Sequence, residues 1–187
     1  MSENKVRFGI SKLHVGKFNV SDAGVVTLGA PMHIPGTTKL SLDPDVELTE
    51  FWADNVLYWI CQNDNGFTGE IENASFPDAF KTGFLNYLTL ADGGIAQIKG
   101  RNIEPVYLMF ESDGDQEQSR GIIYNVSLGQ IKREHNTIEK TKTPQVATLG
   151  FTAHGDNGTG IIKAEYRPTA SGYSTLFTNP PVPALPA

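Results

Sequence analysis

Residues 41–60 read SLDPDVELTEFWADNVLYWI, residues 63–72 read NDNGFTGEIE, and residues 76–88 read FPDAFKTGFLNYL. The acidic Asp43–Asn55 segment predicts a turn or extended loop that leads into an aromatic-rich strand. An Asn-Gly pair tolerates the positive φ angles of a type I′ turn, so the sequence predicts a hairpin turn at Asn63–Gly66 and a second strand after it. This stretch therefore favours a β fold.

One short amphipathic helix is predicted over residues 77–88. Pro77 suits the first helical position, and Asp78 lies beside the positive end of the helix dipole. Apolar side chains then recur at i, i+4 and i+8, which places them on one face. We therefore expect one face of this helix to pack on the core.

Strand signals fill most of the remaining chain. Alternating apolar and polar residues, broken by turns, predict roughly nine strands. The expected fold is mainly β, a β-sandwich or partly closed barrel with the helix packed against it. We expect an N-terminal arm at residues 1–9, one β domain at residues 10–166, and an extended Pro-rich C-terminal tail at residues 167–187 outside the core.

The composition limits the function classes. The chain of 187 residues has a net charge of −6, from 15 basic and 21 acidic side chains, and no dense cluster of Lys and Arg. A protein that grips phosphates needs such a cluster, so the sequence argues against nucleic-acid binding but permits nucleic acid to pass by. Charged residues make up 19%, below the usual share of about 25%, which leaves room for surface covered by other subunits.

Membrane and secretion signals are also missing from the sequence. No apolar run approaches the length of about 18 residues that a transmembrane helix requires. The first residues, MSENKVRFGI, contain no apolar core of a signal peptide. We therefore expect no membrane association and synthesis in a cytoplasm.

The sequence offers no convincing catalytic or metal site. The histidines His14, His33, His135 and His154 show no metal-ligand spacing. His154 and Asp156 form a possible acid–base pair, but they lie in a Gly-rich segment without a nucleophile at a fixed spacing. Two Asp- and Gly-rich turns lack the terminal Glu of a calcium loop. We expect a protein that is not an enzyme and needs no cofactor or metal.

The aromatic pairs Phe51-Trp52 and Tyr58-Trp59 allow two interpretations. They form either a stacking platform for a carbohydrate or packing surfaces in a core or interface. Packing is favoured because they alternate with apolar residues such as Val56 and Ile60 rather than with polar groups. Cys61, the only cysteine, lies in the same apolar run and is expected to be a small buried side chain.

Glu70 and Glu72 also allow two interpretations. They share one face of a predicted strand. Catalytic carboxylates of glycosidases face each other across a substrate, so a same-face pair favours a solvated acidic surface instead. Such a surface suits a wall past which DNA phosphates slide without sticking.

Several further segments complete an ordered set. They are FGISKLHVGK from residue 8, IPGTTKLSLDPD from 34, PVYLMFESDGD from 105, RGIIYNVSLG from 120 and PQVATLGFTA from 144. Together with FWADNVLYW, NDNGFTGEIE and FPDAFKTGFL they cover most of Phe8–Ala153. The set resembles the major tail tube proteins of long-tailed phages with non-contractile tails, in the branch common in phages and prophages of Gram-positive bacteria.

The resemblance implies a structural virion protein. Members of this family form hexameric rings that stack into a tail tube, the conduit for DNA delivery into the host. The implied partners are further copies of the chain, tape-measure, tail tip and tail terminator proteins, and double-stranded DNA in transit without specific binding. The implied location is the virion tail, with assembly in the host cytoplasm. The alternative function is a carbohydrate-binding β-sandwich on a virion or cell surface.

The expected site residues fall into two groups. Extended segments suit contacts between rings or subunits, so we expect such contacts from the N-terminal arm and from the Asp43–Asn55 segment. Glu70 and Glu72 are expected to line the lumen of the tube. The interface residues expected in the Asp43–Asn55 segment are Asp43, Glu47, Glu50, Phe51, Trp52 and Asp54.

Overall fold

The computed structural model describes residues 9–113, 118–135, 137 and 145–186. Within these residues the chain forms twelve strands and one helix. In chain order they are β1 (Gly9–Val20), β2 (Val26–Leu28), β3 (Met32–His33), β4 (Thr37–Leu40), β5 (Asp43–Ala53), β6 (Val56–Asn73), α1 (Asp78–Phe84), β7 (Leu88–Thr89), β8 (Ile95–Ala96), β9 (Val106–Asp113), β10 (Arg120–Arg133), β11 (Ala147–Ala153) and β12 (Lys163–Tyr166).

Ten of these strands form one antiparallel sheet. Its main path runs β2-β1-β9-β10-β11-β6-β4, with β3 beside β1, β12 beside β10 and β5 beside β6. The two short strands β7 and β8 form a separate hairpin. The sheet is open within the described residues. The prediction of a mainly β fold with one short helix is therefore confirmed.

The central strands β9 and β10 are buried on both faces, because their side chains alternate between two apolar clusters. Val106 and Leu108 of β9 belong to one cluster, whereas Tyr107 and Met109 belong to the other. A strand covered on both faces needs a nearly continuous apolar run, and residues 106–110 read VYLMF. The first cluster is the larger and lies under α1.

The predicted helix exists but is shorter than the sequence indicated. It spans Asp78–Phe84 rather than residues 77–88. The chain leaves the helix because Leu85 has a non-helical ψ of 8° and Asn86 adopts a positive φ of 55°. The ring of Phe80 is buried and lies 5.3 Å from that of Phe76. The helix thus packs its apolar face on the sheet as expected.

Part of the predicted C-terminal tail belongs to the core. Leu176 is fully buried in the second cluster, beside Tyr124. The guanidinium of Arg120 lies 4.0 Å from the ring centroid of Tyr173 and 4.8 Å from that of Phe177. The expectation that this segment lies outside the core is therefore wrong at these positions. The division of the chain at residues 9 and 166 remains a prediction, and residues 1–8 lie outside the described part.

Arg120 is fixed by a partly buried charge network. Its Nε donates to Glu111 at 2.7 Å, and Lys12 donates to the other oxygen of the same carboxylate at 2.6 Å. Burial by itself raises the pKa of Glu111, but the hydrogen bonds from Lys12 and Arg120 outweigh it and hold the pKa below its usual value. The carboxylate therefore stays charged at neutral pH and orients Arg120 toward the C-terminal segment.

Candidate assembly surface

A long hairpin formed by β5 and the first half of β6 extends beyond the body of the sheet. Strand β11 pairs with β6 only over residues 67–73, so residues 56–65 of β6 pair with β5 alone among the described strands. The outer edge of each hairpin strand therefore has no strand beside it in the described part. Unpaired strand edges present rows of free backbone N–H and C=O groups that can accept a strand from another chain.

The turn of this hairpin lies at Asp54-Asn55, not at Asn63–Gly66. Ala53 pairs with Val56, and the two residues between them have positive φ angles of 52° and 61°. Two consecutive positive φ angles define a type I′ turn, which Asp and Asn tolerate. The predicted turn at Asn63–Gly66 is wrong because β6 runs unbroken through it.

Asn65-Gly66 instead forms a bulge in β6. Pro44 pairs with Phe67 and Val46 pairs with Asp64, so two residues of β6 stand opposite one residue of β5. Gly66 has a φ of 99° and donates its N–H to Asp64 Oδ1 at 3.0 Å. A Cβ atom at this position would overlap the carbonyl oxygen of Ala153 in β11. The Asn-Gly pair thus serves a bulge and a close backbone approach.

The hairpin exposes an unusual amount of apolar surface. Between residues 46 and 60, nine large apolar or aromatic side chains have exposed fractions that run from 43% to 74%. A soluble monomer seldom exposes contiguous apolar surface of more than a few hundred Å². The nine exposed side chains are Val46, Leu48, Phe51, Trp52, Val56, Leu57, Tyr58, Trp59 and Ile60.

These side chains occupy both faces of the hairpin. Phe51 stands opposite Trp59 on one face. Trp52 points to the other face, where its Nε1 donates to Glu50 Oε2 at 3.1 Å. A sugar platform would need the aromatic rings on one concave face, so this arrangement speaks against the carbohydrate-binding alternative. A partner that covers the hairpin must contact both faces.

The net charge of the protein resides on the hairpin. Residues 43–65 contain six Asp or Glu side chains and no Lys or Arg. The other residues balance, with 15 basic and 15 acidic side chains, so the whole net charge of −6 lies in this segment. A partner surface for the hairpin should therefore be both apolar and basic.

The structure brings all the sequence-predicted interface residues together on this hairpin, but in a different conformation. The Asp43–Asn55 segment is strand β5 with its turn, not a loop. Asp43, Glu47, Glu50, Phe51 and Trp52 lie in β5, and Asp54 lies in the turn. Their part in contacts remains untested. Cys61 also lies on the hairpin and is half-buried, so its predicted place in the core is wrong.

Glu70 and Glu72 lie on an outer polar face of the sheet. Glu70 stands opposite Gly150 and Glu72 opposite Thr148, both in β11. Lys39 Nζ lies 3.2 Å from Glu72 Oε1, which offsets part of the negative charge. A shallow depression of about 1000 Å³ covers this face. Its lining includes Lys39, Ser41, Asp43, Thr68, Glu70, Ser127, Gln130 and Thr152.

Asp156, the acidic member of the predicted His154–Asp156 pair, has a structural role. Asp156 Oδ2 accepts hydrogen bonds from the N–H of Thr159 at 2.8 Å and from its Oγ1 at 2.7 Å. Burial raises the pKa of Asp156, but these hydrogen bonds outweigh it and lower the pKa.

The described residues contain no group of three His, Cys, Asp or Glu side chains placed to hold a metal ion. No helix in the described ranges is long and apolar enough to cross a membrane.

Comparisons with known proteins give only distant likenesses. No protein-family model matches the chain, and no curated protein matches it in sequence. One solved structure with a similar chain is the PVC sheath–tube complex of an extracellular contractile injection system in its extended state. That chain has 10% identity and a TM-score of 0.48, and the match covers 83% of this chain and 88% of that one.

A second similar chain comes from the tube terminating cap of the anti-feeding prophage. It has 11% identity and a TM-score of 0.48, and the match covers 89% of this chain and 96% of that one. Neither match gives support to the non-contractile branch that the sequence segments resemble. Likenesses at this level do not identify a family, and the function has to be inferred from the chain's own residues.

Proposed function

We propose that this chain is the building block of a phage-type tail tube, in which hexameric rings stack into a conduit for DNA delivery. The observation that carries the proposal is the exposed hairpin with two unpaired strand edges and apolar side chains on both faces. The ordered sequence segments that resemble tail tube proteins supply the ring order and the role in DNA delivery. The non-contractile, Gram-positive branch rests on the same resemblance.

The hairpin is costly to leave in water as a monomer. Its four aromatic side chains alone expose roughly 400 Å² of surface if each is about half covered. An isolated two-stranded ribbon is also marginally stable in water. Packing against other copies would cover the aromatic rings and extend the sheet. The exposed rings and the unpaired strand edges would then both form contacts between copies. A head-to-tail contact of this kind closes into a ring or continues as a filament.

The proposal includes partners and a location. Tape-measure, tail tip and tail terminator proteins would set the length and the ends of the tube, and double-stranded DNA would pass through without specific binding. The protein would act without enzymatic activity, in the virion tail after assembly in the host cytoplasm. The sequence contains no dense run of Lys and Arg, which agrees with passage of DNA rather than its retention.

Electron microscopy combined with labelling of Cys61 tests this function. Because Cys61 lies on the hairpin, a thiol-reactive maleimide should label it in dilute subunit and label it at least about tenfold more slowly in assembled material. Negative-stain images of concentrated protein should show rings or tubes of uniform diameter. A protein that stays monomeric at millimolar concentration and with added tail tip complex, with Cys61 equally reactive throughout, would contradict the proposal.

We further propose that the polar sheet face with Glu70 and Glu72 lines the lumen. Glu70→Lys should then make assembled tubes retain short duplex DNA, because it places lysines around the path of the phosphates. Retention should fall steeply between 50 and 200 mM salt. Several phosphate contacts together lose about 10³-fold or more in affinity over this range. A filter-retention assay on assembled tubes measures it.

Asp22→Lys is the matched control for this lumen experiment. It makes the same change in charge on the exposed turn between β1 and β2. Glu72→Lys should act like Glu70→Lys, with the added loss of the ion pair to Lys39. The lumen proposal would be contradicted if the Asp22→Lys tubes retained as much DNA as the Glu70→Lys tubes. It would also be contradicted if neither the Glu70→Lys nor the Glu72→Lys tubes retained DNA.

A further inference from the structure

A groove lies beside helix α1, between the hairpin β7–β8 and the last residues of β10. Its volume is about 410 Å³. Apolar side chains of Tyr87, Ile95 and Ile131 form part of its lining, and Lys81, Gln97 and Arg133 supply polar atoms. The groove is therefore apolar and basic, which are the two properties that a partner of the hairpin β5–β6 needs.

The rim of the groove adds to its basic character. Lys99 follows the lining residue Gln97 by two positions and is exposed. Arg101 Nη1 donates to the carbonyl oxygen of Asn86, the neighbour of Tyr87, at 3.3 Å. Neither these two side chains nor Arg133 has a carboxylate partner among the described residues. Lys81 is paired with Asp78 at 2.6 Å and contributes less.

Basic side chains outnumber acidic ones in this region: Lys81, Lys99, Arg101, Lys132 and Arg133 stand against Asp78, Asp92 and Glu134. Glu134 pairs with Lys132 at 3.1 Å, and Asp92 accepts the N–H of Gly94 at 3.1 Å within its own turn. The region as a whole therefore complements the apolar and acidic hairpin in both hydrophobicity and charge.

The hairpin and the groove lie at opposite ends of the same strand. Arg133 stands opposite Ala147, which in turn stands opposite Asn73, the last residue of β6. The turn of the hairpin directly precedes Val56, the first residue of β6. A strand of 18 residues spans about 60 Å at its usual rise. The two surfaces therefore meet only if they belong to different copies of the chain.

We propose that the hairpin β5–β6 of one copy docks into the groove between α1, β7–β8 and the end of β10 of the next copy. Aromatic side chains of the hairpin cover the apolar lining, and its carboxylates pair with Arg101, Arg133 and Lys99. The contact joins two different surfaces, so it repeats from copy to copy and either closes a ring or continues as an open stack. This inference rests on the proposed tube function and names the surface that receives the hairpin.

Reciprocal charge reversal tests the docking. The hairpin variant carries Glu47→Lys and Glu50→Lys, and the groove variant carries Arg101→Glu and Arg133→Glu. Each alone places like charges against each other and should lower the assembled fraction at a fixed concentration at least about tenfold. The chain with all four substitutions restores opposite charges and should assemble to within about threefold of the unmodified protein. Sedimentation followed by negative-stain microscopy measures the assembled fraction.

A charge-matched control separates docking from a general effect of net charge. It combines the hairpin variant with Lys39→Glu and Lys163→Glu, which restore the same net charge outside the groove. We expect no recovery of assembly in this control. Recovery equal to that of the four-substitution chain, or no recovery in that chain while the unmodified protein forms tubes, would overturn the docking and leave the tube function standing. Failure of the unmodified protein to assemble would count against the tube function itself.

Discussion

Replacing Phe51 and Trp59 by serine is expected to abolish assembly of the subunit and to change its free energy of unfolding by less than about 1 kcal/mol. The two side chains stand opposite each other on the hairpin and are 56% and 53% exposed. Truncation of exposed side chains seldom destabilises a fold, whereas aromatic side chains at the centre of an interface often contribute about 2–4 kcal/mol each to binding. Sedimentation velocity and urea denaturation measure the two quantities.

Val25→Ser combined with Leu185→Ser is the matched control for this variant. Both side chains are large, apolar and exposed, but they lie outside the hairpin. We expect this control to assemble like the unmodified protein. If the control loses assembly to the same degree, apolar surface in general drives association, and the hairpin has no special part in it.

Gly66→Ala is expected to destabilise the subunit by about 3 kcal/mol or more. The glycine holds a positive φ, and an added Cβ would overlap the carbonyl oxygen of Ala153 in the neighbouring strand. Backbone atoms cannot move aside as a flexible side chain does, so the pairing of β6 with β11 must shift. A lower midpoint of urea denaturation with an unchanged slope would report the loss.

Gly93→Ala isolates the cost of the positive φ from the cost of the overlap. Gly93 has a φ of 85°, and an added Cβ at this position meets nothing within 4 Å. We expect a loss of only about 1 kcal/mol from the backbone strain. Similar losses for the two variants would mean that the close approach between Gly66 and Ala153 contributes little to the fold.

Local patterns were enough to predict the class of the fold and the position of the helix. The spacing of Phe80 and Phe84 and the placement of Pro77 depend only on neighbours in the chain. The alternation in β11 likewise places Ala147, Leu149, Phe151 and Ala153 on the buried face. The helix end was less predictable, because the conformation of Asn86 is not fixed by an apolar pattern.

The hairpin turn was misplaced because two Asn-containing pairs compete within the same stretch. Asn65-Gly66 is the stronger turn signal, yet it meets β11 at a point where only a glycine fits. Asp54-Asn55, with aromatic residues on either side, was the signal for the actual turn. The sequence therefore located the exposed segment and its residues, but the pairing of β5 with β6 depended on a contact with a distant strand.

The packing of the C-terminal segment could not be read from the sequence. Arg120 Nη1 donates to the carbonyl oxygen of Tyr173 across 53 positions of the chain. The hydroxyl of Tyr124 donates to the carbonyl oxygen of Pro181 at 2.9 Å. A proline-rich composition describes the extended backbone but not the surface on which it lies. The groove beside α1 is unpredictable for the same reason, since β10 brings Arg133 to it from far along the chain.

The confinement of all net charge to residues 43–65 affects how an assembly-deficient subunit should be made. Deleting the hairpin would leave a remainder with equal numbers of acidic and basic groups and would raise the isoelectric point well above its present 5.2. Molecules near electrical neutrality repel one another weakly and precipitate readily. Such a truncated chain would aggregate for colloidal reasons, so point substitution of the aromatic side chains is the sounder way to obtain a soluble monomer.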